Sequence, residues 1–128
     1  MDIEHLDPAG MARNPAFSQA VAVTGAEKLI FVGGQNGLKA DGTMAGDTMR
    51  EQSAQALRNV LTALEAAGAS QENVTRLGIY MVQGQDAREG FAAAQEVWGR
   101  HATAITGFFV AGLARPDALV EIEATAVL

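Results

Sequence analysis

Residues 48–68 limit the fold more than any other part of the sequence, because they carry a complete set of helix signals. Thr48 is followed three residues later by Glu51, the spacing of a capping box that satisfies two free backbone donors where a helix begins. Gly68 suits the left-handed conformation that often follows a helix end. Between them an apolar stripe recurs at three- and four-residue spacing, formed by Ala54, Leu57, Leu61, Leu64 and Ala67. The segment therefore predicts an amphipathic helix.

The rest of the chain predicts five strands and a second helix. Alternating or continuous apolar runs indicate strands at 17–23, 28–33, 74–83, 104–111 and 119–127, and a helix at 86–99. A short turn containing Gly25 predicts that the first two strands form a hairpin. Residues 1–16 show no periodicity and are interpreted as an irregular lead-in. This element order predicts a single α+β domain over residues 1–128, with both helices on one face of the sheet.

The last strand has two different faces. Val120, Ile122 and their alternate neighbours form an apolar face that suits packing against the helices. The other face carries Glu121 and Glu123 among apolar residues. Self-association through this face and simple exposure of its acids both explain the pattern.

Composition excludes several classes of function. The formal net charge is −6 and the nine basic residues are scattered, which disfavours nucleic acid as a partner. There is no cysteine, and two distant histidines provide no plausible zinc site, so we expect no metal. No cofactor-binding motif occurs, so we expect no cofactor. No apolar run is long enough to span a membrane, and nothing resembles a secretory signal, so a cytoplasmic location is expected.

Four segments in order resemble the reactive intermediate deaminase (Rid, or YjgF-like) family. They are the opening pair of strands with the Gly33-Gly34-Gln35 corner, the first helix at 54–69, the second helix at 91–98 and the closing strand at 118–124. The resemblance covers roughly residues 17–127. It implies a chorismate-mutase-like α+β fold, with a mixed sheet of about six strands. It also implies a homotrimer with a central barrel and three clefts between subunits.

The resemblance further implies a site chemistry. The best-known members hydrolyse imines or enamines without a cofactor, using an arginine for the substrate carboxylate and a glutamate for the water. On this chain Glu121 would take the catalytic role of the glutamate. The substrate-binding positions would be Phe17, in place of the usual tyrosine, with Gly34 and Gln95. Trp98 is expected to pack in the core.

The arginine position departs from the family pattern. Aligning Val110-Ala111-Gly112-Leu113 with the family places Ile105 where the arginine belongs, followed by Thr106 and Gly107 as further substrate-binding positions. Isoleucine cannot bind a carboxylate, so ordinary imino-acid deamination is expected to be weak or absent.

Several hypotheses follow. The first is a Rid-family protein that binds a small molecule in inter-subunit clefts and hydrolyses a C–N bond, as a hydrolase of imine-like substrates. The second is a non-catalytic ligand-binding or regulatory module. A third is a 2-imino-acid deaminase in which Arg88, Arg100 or Arg115 replaces the missing arginine. The ribonuclease activity of some relatives is disfavoured by the acidic charge. His101, a lone histidine, is interpreted as a polar turn residue.

Overall fold

The computed structural model describes residues 1–128, which form six strands, two α-helices and one short 3-10 helix. In chain order these are β1 (Asp2–Leu6), β2 (Ala20–Thr24), β3 (Leu29–Gln35), α1 (Met49–Ala66), the 3-10 helix (Gln71–Asn73), β4 (Val74–Val82), α2 (Ala87–Val97), β5 (Ala104–Val110) and β6 (Val120–Val127). Neither α-helix has the length and apolarity needed to cross a membrane.

The strands form two sheets. β1 and β2 pair antiparallel, and the other four strands form a mixed sheet in the order β3-β6-β4-β5. β6 runs antiparallel to both of its neighbours, whereas β4 and β5 are parallel. The parallel pair is possible because α2 provides the long crossover connection that parallel strands require. The predicted α+β domain with a mixed sheet is therefore confirmed.

Three expectations about the strands were wrong. Residues 2–6 are not irregular, since they form β1 and pair with β2. The predicted hairpin between the first two strands does not form, because β2 pairs with β1 and β3 pairs with β6. The main sheet accordingly has four strands rather than about six. β3 also continues through Gly33 and Gly34, with a register shift between Val32 and Gln35.

Helix α1 begins and ends where its sequence signals predict. The Glu51 amide donates to Thr48 Oγ1 at 3.1 Å, and the Thr48 amide donates to Glu51 Oε2 at 3.4 Å, which completes the capping box. Gly68 follows the helix with φ of +83°, where a side chain would be strained. The inner face of α1 is buried against β3 and β6, with Val60 and Leu64 fully enclosed.

Helix α2 packs on α1 at close range. Its one buried residue, Ala93, is fully enclosed, and a Cβ on Gly90 would lie 3.2 Å from Met49 Cε. An exposed ion pair between Arg50 and Glu96 also joins the two helices. Both helices cover the same face of the main sheet, as predicted.

Gln52 of α1 fixes the loops at one end of the domain. Its side chain is only 2% exposed. Nε2 donates to the carbonyls of Gly46 at 3.0 Å and Asp117 at 3.2 Å, and Oε1 accepts from the Leu119 amide at 2.7 Å. One amide thus satisfies three backbone groups from two loops, so the start of β6 is held against α1.

We expect Gly37→Ala to lower the free energy of unfolding by about 2–3 kcal/mol, because a Cβ there would lie 2.6 Å from both Cα and O of Gln52. The matched control is Gly112→Ala, since a Cβ at Gly112 meets nothing within 4 Å. The control should change stability by less than about 0.5 kcal/mol. Urea unfolding of both variants measures the difference, and equal midpoints would contradict the close contact.

Candidate functional site

A cavity of about 940 Å³ lies between α2 and the helix-facing side of the main sheet. This volume is in the upper part of the range usual for small-molecule sites. Most of its lining is apolar and comes from both helices and from β4, β5 and β6. These apolar residues include Met49, Leu57, Leu77, Ile79, Met81, Phe91, Ala94, Trp98, Ile105, Val120 and Ile122. Trp98 is 4% exposed and belongs to the core cluster, as expected, while it also forms part of this wall.

The charge around the cavity is one-sided. No aspartate or glutamate lines it, although the chain has 15 acidic residues. Arg100, in the connection between α2 and β5, is the one charged side chain at the wall, with His101 beside it. The cavity is therefore locally cationic in a protein of net charge −6, and a local field of this kind can outweigh the overall charge.

Ser53 of α1 is a lining residue of the same cavity and carries a buried polar atom. Its side chain is 2% exposed, and its Oγ has no hydrogen-bond partner. A Cβ on Gly90 would lie 3.5 Å from this Oγ, which places Ser53 near the first turn of α2. Arg100 follows the other end of that helix. Ser53 and Arg100 therefore lie toward opposite ends of the cavity.

The structure brings together four of the seven predicted site residues. Phe17, Gln95, Ile105 and Gly107 all line the cavity. In β5, Ile105 is paired with Leu77 and Gly107 with Ile79 of β4, so both face the helices. Phe17 lies just before β2 rather than in it.

The other three predicted residues lie outside the cavity. Glu121 alternates with Val120 and Ile122, both of which line the cavity, so its own side chain is on the opposite face of the sheet. Gly34 lies next to it, since a Cβ on Gly34 would be 2.7 Å from Glu121 Oε2. Asn36 Nδ2 donates to Glu121 Oε1 at 3.3 Å. Thr106 is also on this face, paired with Gly78 of β4.

This second face, which we call the open face, combines acids with exposed apolar side chains. Tyr80 donates to Glu123 Oε1 at 2.8 Å and stacks on Phe108 with ring centroids 6.1 Å apart. The hydrogen bond to Glu123, aided by desolvation and the nearby negative charge, raises the pKa of Tyr80, so the phenol remains a donor. Leu29, Phe31 and Phe108 are 63%, 74% and 52% exposed.

A smaller recess of about 380 Å³, here called the mouth, adjoins the cavity. Six residues, among them Phe17, Arg100 and His101, line both spaces. The mouth adds side chains from the N-terminal segment, namely His5, Asp7, Arg13 and Ser18. β1 thus brings residues to the site that the sequence interpretation had assigned to an irregular lead-in.

Two histidines build one wall of the mouth. Ser18 Oγ donates to the Ala102 carbonyl at 2.6 Å, so the 3.2 Å contact with His5 Nδ1 requires the imidazole to donate. His101 Nε2 donates to the Val74 carbonyl at 3.0 Å. The two rings meet edge to face with centroids 5.3 Å apart. His101 is therefore a packed structural part of the mouth, beyond the polar turn residue that was expected.

The three candidate replacement arginines differ in position. Arg88 is paired with Asp86 at 2.9 Å, and Arg115 with Asp117 at 2.9 Å, and neither lines the cavity. Arg100 lines both the cavity and the mouth and forms no ion pair. No group of three or more acidic or histidine side chains is arranged to hold a metal ion.

Comparison with known proteins identifies the family. The family model described as Endoribonuclease L-PSP matches residues 9–128. The chain belongs to the Rid family. A Rid-family protein of unknown function from Yersinia pestis, YyfB, is 30% identical over 100% of both chains, with a TM-score of 0.89. Rv2704 of Mycobacterium tuberculosis, a member of the YjgF/YER057c/UK114 family, is 31% identical over 88% of this chain and 86% of its own, with a TM-score of 0.69.

The comparisons confirm the resemblance and the Rid fold. RidA of the Antarctic bacterium Psychrobacter sp. shares the fold at 23% identity and a TM-score of 0.72. No curated protein sequence matches the chain significantly. The likeness to these relatives thus establishes the family of the chain.

Sequence reasoning missed His5, Arg13 and Ser53 as site residues. His5 and Arg13 lie in the segment without periodicity, and only the pairing of β1 with β2 brings His5 to the mouth. Ser53 carries one available signal, because a serine on the buried side of an amphipathic helix needs a hydrogen-bond partner.

We expect Ser53→Ala to leave the free energy of unfolding unchanged or to raise it by up to about 1 kcal/mol, because the unpaired Oγ costs desolvation and returns no hydrogen bond. The matched control is Ser18→Ala, also buried, whose Oγ donates to Ala102 and accepts from His5. That variant should lose about 1–3 kcal/mol. Thermal or urea unfolding checks both, and an equal loss would mean that Ser53 has a partner.

Proposed function

We propose that this Rid-family protein binds a small, largely apolar molecule in its cavity and hydrolyses a C–N bond of imine or enamine type in it. The single observation that carries the proposal is the cavity itself, which is apolar, free of acids and lined by Phe17, Gln95, Ile105 and Gly107. Apolar walls with a few convergent polar groups are typical of small-molecule sites. No cofactor is needed for the addition of water to a carbon that is already electrophilic.

Ile105 decides which substrates are poorly bound. The residue lies in the cavity wall beside Leu77 of the neighbouring strand, so a small imino acid would place its carboxylate against apolar side chains. Leaving a buried charge without its partner commonly costs about 3–5 kcal/mol. A neutral or weakly polar reacting end therefore suits this position better than the carboxylate of a simple imino acid.

A second copy of the chain would complete the catalytic set. Within one chain Glu121 and Gly34 are on the open face, away from the cavity. We infer a homotrimer in which the open face of one copy meets another, so that inter-subunit clefts combine Glu121 with a cavity. The exposed Leu29, Phe31 and Phe108 support this, because such a patch is typical of an interface. In that cleft Glu121 would accept a proton from the attacking water.

The imine assay tests the proposed selectivity. With 2-iminobutyrate generated in situ, we expect keto-acid release close to the uncatalysed rate. Ile105→Arg should raise the rate above that of the unchanged protein, because it adds a guanidinium to the cavity wall. Thr62→Arg is the matched control, since Thr62 is exposed on α1 and lines neither the cavity nor the mouth. Fast turnover by the unchanged protein would contradict the role assigned to Ile105.

The trimer has its own test. Phe31→Ser should shift sedimentation toward smaller species, because it removes the most exposed aromatic side chain of the open face. Phe91→Ser is the control, since Phe91 is 52% exposed but lies on α2. A monomeric unchanged protein, or a trimer unaffected by Phe31→Ser, would contradict assembly through this face.

A non-catalytic ligand-binding module is the second candidate. The separation of Glu121 from the cavity within the chain favours it. The two candidates differ in a direct experiment: turnover of any C–N substrate that Glu121→Gln abolishes supports the enzyme, while ligand binding unaffected by Glu121→Gln and without turnover supports the module.

A further inference from the structure

Arg100 is an unpaired cation at the edge of an apolar space. It lines the cavity and the mouth, and no carboxylate of the chain lies within 4.0 Å of its guanidinium. The other two candidate arginines are each neutralised by an aspartate. Beside apolar walls the effective dielectric is lower than in water, so attraction to an anion is stronger there than on an open surface.

The mouth adds further donors around Arg100. Arg13 lines the same recess and is also without an ion pair. Asn14 Oδ1 accepts from the Ala16 amide at 2.9 Å, so its side-chain amino group is left as a donor. Asp7 is the single carboxylate of the recess, and its Oδ1 accepts from the Gln19 amide at 3.3 Å. Arg13 and Arg100 carry two positive charges, and Asp7 carries the one negative charge of the recess. The net charge of the mouth is therefore positive.

Ser53 lines the opposite end of the cavity, and its Oγ is buried just beneath the wall without a hydrogen-bond partner. Ser53 lies near Gly90, and Trp98 directly follows α2, two residues before Arg100. Trp98 is eight positions after Gly90, which corresponds to roughly 12 Å along the helix axis. A buried hydroxyl without a partner is costly, so a polar group delivered to that position would be stabilising.

We propose that the cavity takes an organic acid with a long apolar body, whose carboxylate is bound at the mouth by Arg100 and Arg13 and whose far end reaches Ser53. This inference rests on the proposed binding of a small molecule in the cavity. It names the ligand class: an aliphatic carboxylic acid of about ten carbons, preferably with a hydroxyl or another small polar group at the opposite end. The carboxylate then lies at the mouth, away from Ile105.

Calorimetric titration with decanoate and 1-decanol, each below its aggregation concentration, tests whether the mouth binds the carboxylate of the ligand. We expect decanoate to bind the unchanged protein about tenfold more tightly than decanol, because only decanoate forms charge-assisted hydrogen bonds. Arg100→Gln should remove this advantage and leave decanol affinity unchanged. Arg13→Gln should reduce the advantage of decanoate over decanol in part. Arg88→Gln, which changes an arginine outside the cavity, should behave as the unchanged protein.

The outcomes separate this inference from the function on which it rests. If decanoate and decanol bind equally, and Arg100→Gln matches Arg88→Gln, the anion site is wrong while ligand binding in the cavity stands. If neither compound binds, both proposals fail.

The proposed contact between Ser53 and the far end of the ligand is tested with 10-hydroxydecanoate. This acid should bind several-fold more tightly than decanoate to the unchanged protein, because its hydroxyl can pair with Ser53 Oγ. The gain should disappear in Ser53→Ala, while decanoate affinity stays the same. Equal affinity of the two acids for the unchanged protein would overturn the role of Ser53.

Discussion

The packing of α1 on β3 and β6 is the constraint on which the rest of the structure depends. Leu57, Val60 and Leu64 bury the inner face of this helix, and Gln52 ties its first turns to the loops before α1 and before β6. Because α1 occupies that half of the sheet, α2 packs on α1 and spans the half formed by β4 and β5. The space beneath α2 is the cavity. A site of this size thus results from how two helices share one sheet face.

The same arrangement sorts polar groups onto separate sides of the sheet. Strand alternation places Val120 and Ile122 in the cavity and Glu121 and Glu123 on the open face. Acids are thereby kept out of a space that an anionic ligand would enter. At the mouth, Arg100 and Arg13 form no ion pair within the chain. A protein of net charge −6 can therefore offer a cationic entrance to an apolar site.

Much of the fold could be predicted from the sequence because its signals are local. The capping box at Thr48, the stripe of α1 and the alternation of β6 each lie within one element, and all three are confirmed. The partners of each strand could not be predicted in this way. β1 is short and mostly exposed, so its sequence pattern is weak, and pairing between β3 and β6 joins opposite ends of the chain. The hairpin between the first two predicted strands was wrong for this reason.

The site could be predicted only in part, because some of its residues come from segments that are far apart in the sequence. Phe17, Gln95, Ile105 and Gly107 were placed by family resemblance and do lie together, whereas Gly34, Thr106 and Glu121 lie across the sheet. The mouth depends on contacts between distant segments, such as Ser18 with Ala102, which no local pattern reports.

The most direct test of the account is the fluorescence of Trp98, the single tryptophan of the chain, which lies in the cavity wall. Titration with 1-decanol should change its emission in a saturable way as the apolar chain displaces solvent beside the indole. Gly107→Leu, which places a side chain in the cavity wall, should weaken this response, while Gly112→Leu should not. An emission that decanol leaves unchanged, or a response insensitive to Gly107→Leu, would contradict ligand binding in this cavity.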